Sequence, residues 1–147
     1  MLVRTNLEGE NVYVSLEALH RQELDNVAVW SDAATGEKFT KVKEVVRERV
    51  SSTDKFKKVS VERDNCVSNF ILNENDTIII NENVSVLVHN LYEGYSLGKY
   101  GVVKKVIAVG YYGYMYSLKT TANSYNVYGS DDNLKYCTSV TLTLSTL

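Results

Sequence analysis

Histidine and cysteine, the side chains most often used for proton exchange near neutral pH, soft-metal ligation and thiolate attack, are few in this chain, two of each. Cys66 and Cys137 stand too far apart for a metal-ligand spacing and are too few for a disulfide framework, so they read as reduced thiols acting as small apolar side chains. His20 follows Leu19 in a turn, with no cysteine or carboxylate at ligand spacing. His89 falls on the outward side of a strand whose other face carries Val84, Val86 and Val88, so both histidines read as surface residues. Asp131 and Asp132 read as a turn cap, and Trp30 as core. No catalytic residue, metal or cofactor is expected, and no small-molecule substrate.

Two groups of residues invite a binding role instead. Gly94, Gly98 and Gly101 with Lys99, Lys104 and Lys105 form a glycine-rich turn with nearby charge, as in small SH3-like barrels that bind nucleic acid. Tyr92, Tyr95, Tyr100, Tyr111, Tyr112, Tyr114 and Tyr116 would offer stacking faces beside it. Against that alternative, the second half is close to neutral, whereas proteins that track phosphates carry a basic stripe. Tyrosines exposed on loops favour protein contact, because a large flat side chain with few rotors gains contact area at low entropic cost. The expected contact residues are therefore Tyr92, Tyr95, Tyr100, Tyr111 and Tyr112, and the partners other proteins, within an assembly or as a homo-oligomer. Arg47 and Arg49, with Lys55, Lys57 and Lys58 around Phe56, make a modest basic face, read as a solvated edge protected from strand pairing.

The elements that must carry these residues are strands. At 147 residues the chain suits one domain, 1–147, with enough length to bury a core. Its formal charge of -2 excludes a strong field towards nucleic acid or membrane. Proline is absent and there are 11 tyrosines, and with abundant Val, Thr and Ser this favours pleated sheets over helices. No apolar run is long enough to cross a bilayer, and no basic segment leads into a hydrophobic one at the N-terminus. The expected location is a virion or the host cytoplasm.

In order, the patterning predicts strands at 1–5, 11–15, 26–30, 42–50, 55–62, 70–72, 77–80, 84–88, 102–109, 114–121, 124–129 and 140–144. Turns are expected at Glu8-Gly9, at 31–36, at Ser51-Ser52-Thr53-Asp54 and at Gly110 to Gly113, with one helical turn capped by Ser15. The whole is an all-β domain of about a dozen short strands.

The chain also repeats itself. Glu82-Asn83-Val84-Ser85-Val86-Leu87-Val88-His89-Asn90-Leu91 aligns without a gap on Glu10-Asn11-Val12-Tyr13-Val14-Ser15-Leu16-Glu17-Ala18-Leu19, with Glu, Asn, two Val and the closing Leu coincident. Each copy runs on through a turn into a Val-rich strand and then an alternating one, giving units of about 10–61 and 82–119. This layout resembles the Hedgehog/intein (Hint) family. Asn26-Val27-Ala28-Val29-Trp30, then Thr35-Gly36-Glu37 and Lys41-Val42-Lys43-Glu44-Val45, resembles its second conserved stretch. Leu91-Tyr92-Glu93-Gly94-Tyr95-Ser96-Leu97 resembles its Leu-x-x-Gly-Asp turn, with Tyr95 in place of the aspartate. Tyr114-Met115-Tyr116-Ser117-Leu118 followed by Asn126-Val127-Tyr128 resembles its closing strand pair.

The resemblance implies a pseudo-two-fold duplicated β fold, and it implies where reactive residues would stand. Catalytic members need a Cys or Ser at the first position, a histidine in a Thr-x-x-His turn and, for intein-type cleavage, a terminal His-Asn. The chain begins at Met1-Leu2-Val3-Arg4-Thr5, several residues past the nucleophile position. The turn corresponds to Leu72-Asn73-Glu74-Asn75-Asp76, without histidine, and Lys135-Tyr136-Cys137 offers no cyclising asparagine. The expectation is a non-catalytic structural or protein-binding domain, and the style of composition suggests a phage decoration, connector or tail protein. Alternatives are the nucleic-acid barrel, a phage-encoded inhibitor of a host protein, and a remnant of an autoprocessing element.

Overall fold

The computed structural model describes residues 1–7, 9–32, 39–133 and 135–146, with side chains except at 7, 52–54 and 136–139. Alternating β-branched and polar residues form β1 (Leu2–Leu7), β2 (Glu10–Ser15), β3 (Ala28–Trp30), β4 (Phe39–Arg63), β5 (Cys66–Asn73), β6 (Thr77–Asn81), β7 (Val84–Leu87), β8 (Val102–Thr120), β9 (Ser124–Ser130) and β10 (Tyr136–Ser145). All pair antiparallel in a single sheet of one compact, all-β domain. The one α-helix described, α1 (Leu16–His20), starts where Ser15 Oγ accepts the Ala18 N–H at 3.0 Å, and it buries Leu16 and Leu19.

The sheet runs β2-β1-β3-β4-β5-β9-β10-β6-β7, and β1 also meets β9 at Leu2 and Tyr128. That last bridge closes a circuit through β1, β3, β4, β5 and β9. Val3, Val29, Val59, Val61, Phe70 and Val127 are buried completely within the core this closure creates. Each side chain of this kind contributes about 1.5–3 kcal/mol when removed from water. In β5 the alternation is regular, with Ser68, Phe70 and Leu72 inward. In β9 both faces are buried from Ser124 to Gly129, since β9 pairs with β1, β5 and β10.

β4 and β8 form a long two-stranded ribbon, paired from Val42 opposite Thr120 to Glu62 opposite Val102. Its two ends lie in the core: Val59, Val61 and Val103 at one, Val42, Leu118 and Thr120 at the other. Its middle, around 47–51 and 110–116, stays largely exposed. At the first end Gly101, at φ +117°, lies so close to β4 that a Cβ would come within 2.2 Å of the Glu62 carbonyl oxygen. Only glycine fits there.

This ribbon corrects three expectations. The domain is all-β as expected, and two of its ten described strands are long. No turn occurs at 51–54: β4 continues through it with a bulge between Ser52 and Phe56, and 55–62 does not fold back on 42–50. Nor do Gly110 to Gly113 turn the chain, because β4 supplies a ladder partner to this stretch, with Val50 opposite Gly113 and Ser51 opposite Tyr112. The chain reverses instead at Asp64-Asn65, with φ of 51° and 65°, a two-residue loop joining β4 to β5 where Arg63 faces Cys66. Two consecutive positive φ values match the right-handed twist of the flanking strands, and Asp and Asn tolerate them.

Smaller differences follow from packing. Val84 is 44% exposed rather than inward, because β7 is the edge strand, while Val86 and Val88 are buried. His89 lies in a 3-10 turn, Val88–Asn90, with Nδ1 3.5 Å from Glu74, rather than on a strand. Trp30 is half-buried beneath the Arg4 guanidinium, 3.8 Å from its ring, instead of being core. Asp131 does cap its turn, accepting the Asn133 and Lys135 N–H groups at 2.9 Å. Cys66 is a free thiol; the Thr35-Gly36-Glu37 motif and the Cys137 side chain lie outside the described residues.

Candidate protein-binding face

Directly opposed residues of an antiparallel pair emerge on the same side. The register sets Arg47 opposite Tyr116, Arg49 opposite Tyr114 and Ser51 opposite Tyr112, so two arginines and three tyrosines share one face of the ribbon's middle. The Arg47 guanidinium carbon lies 4.5 Å from the centre of the Tyr114 ring, within cation–π range. Tyr112 is 67% exposed and Tyr114 45%. Tyr116 is half-buried, its ring meeting His20 of α1 edge-on at 5.5 Å. Tyr111 is anchored against Phe56 at 5.5 Å, and its hydroxyl donates to the Tyr114 carbonyl at 2.9 Å.

Beside this face opens a cavity of about 320 Å³, walled by Tyr111, Tyr114, Met115 and Tyr116 of β8, Leu16 of α1, Asn69 and Ile71 of β5, and Met1. At its edge β5 and β9 are bridged at Asn69 and Ser130. Burial lowers the affinity of the Met1 amine for its proton. A wall of tyrosine and methionine with a few polar groups at its rim suits an apolar or aromatic side chain.

The residues expected to form one site fall in three places. Tyr92 and Tyr95 pack edge-to-face at 5.0 Å in the loop before β8, Tyr92 being 63% exposed and Tyr95 resting on the core. Eight residue steps of strand lead from Val103 to Tyr111, about 26 Å at the usual rise. Two patches therefore result, one in the loop and one on the ribbon.

Tyr100 belongs to neither, which corrects its assignment as a surface contact. It is 2% exposed. Positive φ at Gly98 and Gly101 reverses the chain on either side of it and turns its ring inward. There its hydroxyl donates to Asp32 Oδ1 at 2.6 Å and lies 2.5 Å from Thr143 Oγ1, which donates to the same carboxylate oxygen at 2.7 Å. Burial raises the Tyr100 pKa further than its hydrogen bonds do, so the phenol stays protonated. Burial alone would raise the Asp32 carboxyl, but hydrogen bonds from Tyr100, Thr143 and Asn126 and the charge of Lys99 together hold it below its ordinary value. The polar atoms satisfy one another, so the cluster works as a clamp fastening the segment after β3 to β10.

The three lysines do not make a basic stripe. Lys99 is 3.4 Å from Asp32 and Lys104 3.9 Å from Glu62, so two of them carry their own counter-charge. Lys105 is exposed opposite Ser60, on the far side of a bulge at Lys104. Among the described residues no three His, Cys, Asp or Glu side chains gather as metal ligands, and no helix is long and apolar enough to cross a membrane.

The arginine and tyrosine alignment escaped sequence reasoning although its signal was present. Arg47 and Arg49, and Tyr112, Tyr114 and Tyr116, each recur with the period of two that marks one face of a strand. Reading 110–113 as a turn broke the tyrosine line and hid the pairing. The chain matches no protein-family model, no curated protein and no solved structure.

Proposed function

We propose that this chain is a non-catalytic protein-binding domain of Hint-like architecture, serving as a structural component of a phage particle. The observation that carries the binding role is the exposed arginine–tyrosine face beside an aromatic cavity, since tyrosine and arginine dominate the energetics of protein interfaces.

The Hint-like reading draws support from element order. In the first half a short strand, a helical turn, a long strand and a return strand come in the order β2, α1, β4 and β5, with the short β3 interposed before β4; in the second the order is β7, two 3-10 turns, β8 and β9. Support for inertness comes from Asp76, which closes the Leu72 to Asp76 turn that matches the histidine-bearing turn of the resemblance. Its carboxylate accepts the Asn73 N–H at 3.0 Å and braces the turn between β5 and β6, and burial raises its pKa. The phage attribution rests on composition and calls for its own test.

Prolonged incubation of the purified chain followed by intact-mass measurement is expected to return one uncleaved species, and the chain is expected to co-purify with particles. A cleaved product would sink the inert reading. A nucleic-acid-binding barrel would instead bind in a steeply salt-dependent way and weaken on Lys104→Ala or Lys105→Ala; the carboxylate beside Lys104 argues against it.

A further inference from the structure

Six ion pairs hold charges on this molecule's described surface, and none uses Arg47 or Arg49. Both guanidinium groups are exposed. Glu48 lies between them in the chain but points to the opposite face, across from Met115. Arg49 has no partner among the described residues, and Arg47 only the ring of Tyr114. Two cations side by side that no described carboxylate neutralises repel each other, an arrangement that a bound anion relieves.

Their spacing restricts that anion. Alternate residues of a strand stand about 7 Å apart, which equals the spacing of alternate side chains in an extended peptide lying along the ribbon. Guanidinium binds carboxylate in a bidentate fork. Tyr112 and Tyr114 flank the arginines with flat, rotor-poor surface, and the cavity that Tyr114 and Tyr116 line together with Leu16 and Ile71 opens beside them. A nucleic acid fits less well, because two arginines are a short track for phosphates and the chain's net charge is -2.

Resting on the protein-binding reading above, we infer that Arg47, Arg49, Tyr112 and Tyr114 recognise an extended, acidic protein segment, with carboxylates at alternate positions and an adjacent apolar or aromatic side chain seated in the cavity. Binding on this model has a strong electrostatic component, which weakens as salt shortens the screening length.

The test uses the full chain and a fluorescein-labelled peptide carrying glutamate at alternate positions and one phenylalanine, read by anisotropy. Arg47→Gln with Arg49→Gln is expected to weaken binding roughly ten-fold or more, while Arg47→Lys with Arg49→Lys restores only part of it. Both pairs are exposed, so circular dichroism and thermal unfolding are expected to match the parent. Placing the same glutamates in adjacent positions is expected to weaken the peptide. Equal affinity in the Gln variant, no peptide binding, or tighter binding of a single-stranded oligothymidylate overturns the inference. If the peptide fails yet the chain co-purifies with particles, the acidic partner falls and the structural reading stands. If the peptide binds through the arginines yet the chain never joins particles, the acidic partner stands and the virion reading falls.

Discussion

Tyr100 and Tyr112 are the same residue in opposite uses. Tyr100 is buried, its hydroxyl held by Asp32 and Thr143; Tyr112 is two-thirds exposed, on a face where the charges lack counter-ions among the described residues. One cluster satisfies its own polar atoms and so serves the fold; the other leaves its capacity unspent and so is available to a partner. The contrast teaches that a tyrosine's role is decided by what surrounds its hydroxyl and ring, not by its neighbours in the chain.

The comparison breaks most severely at the glycine that admits Tyr100 to the interior. Gly101→Ala drives a Cβ into the Glu62 carbonyl at a positive φ, and a loss on the order of 4 kcal/mol is expected in urea unfolding. Next comes the clamp itself. Asp32→Ala strands the Tyr100 and Thr143 hydroxyls away from their shared acceptor and is expected to cost about 2–3 kcal/mol, with Tyr100→Phe nearer 1 kcal/mol. An Asp32→Ala chain as stable as the parent would mean that the cluster is incidental.

The two carboxyls Asp32 and Asp76 sharpen the picture through pH. Asp32 titrates below its unfolded value, so its stabilisation is present above that value and is lost as pH falls through the lower folded one. Asp76 titrates above its unfolded value, so it costs stability at neutral pH, and the cost disappears as pH falls below the unfolded value. Asp32→Asn is therefore expected to flatten the acid side of the stability curve. Asp76→Asn, which keeps an acceptor for Asn73, is expected to match or exceed the parent at pH 7 in thermal unfolding. The smallest effect belongs to the open face: Tyr112→Ser is expected to shift unfolding by under about 0.5 kcal/mol, while still weakening the acidic peptide.

Much of the fold was legible because it depends on local pattern. Alternation marked β2, β6 and β7 near their true limits, and Ser15 announced its helical turn. The ribbon was not legible. Whether Ser51 to Asp54 or Gly110 to Gly113 bends depends on a strand distant in sequence arriving to accept and donate along the ladder. Propensity describes the isolated chain, and a partner strand overrides it. The site suffered the same loss: Tyr112 was read as an exposed aromatic, but the arginines beside it were assigned to another arm, Tyr111 packs against Phe56, and Tyr100 was assigned to the surface.

By itself the amino-acid sequence determined an all-β domain, its short strands and its supply of tyrosine, since period-two patterning and β-branching act within a few residues. Only the tertiary structure decided which tyrosine is sealed and which is offered. That choice is made where β4 and β8 meet and where Gly101 lets the two backbones approach, and the contacts that set it join residues some forty to eighty positions apart.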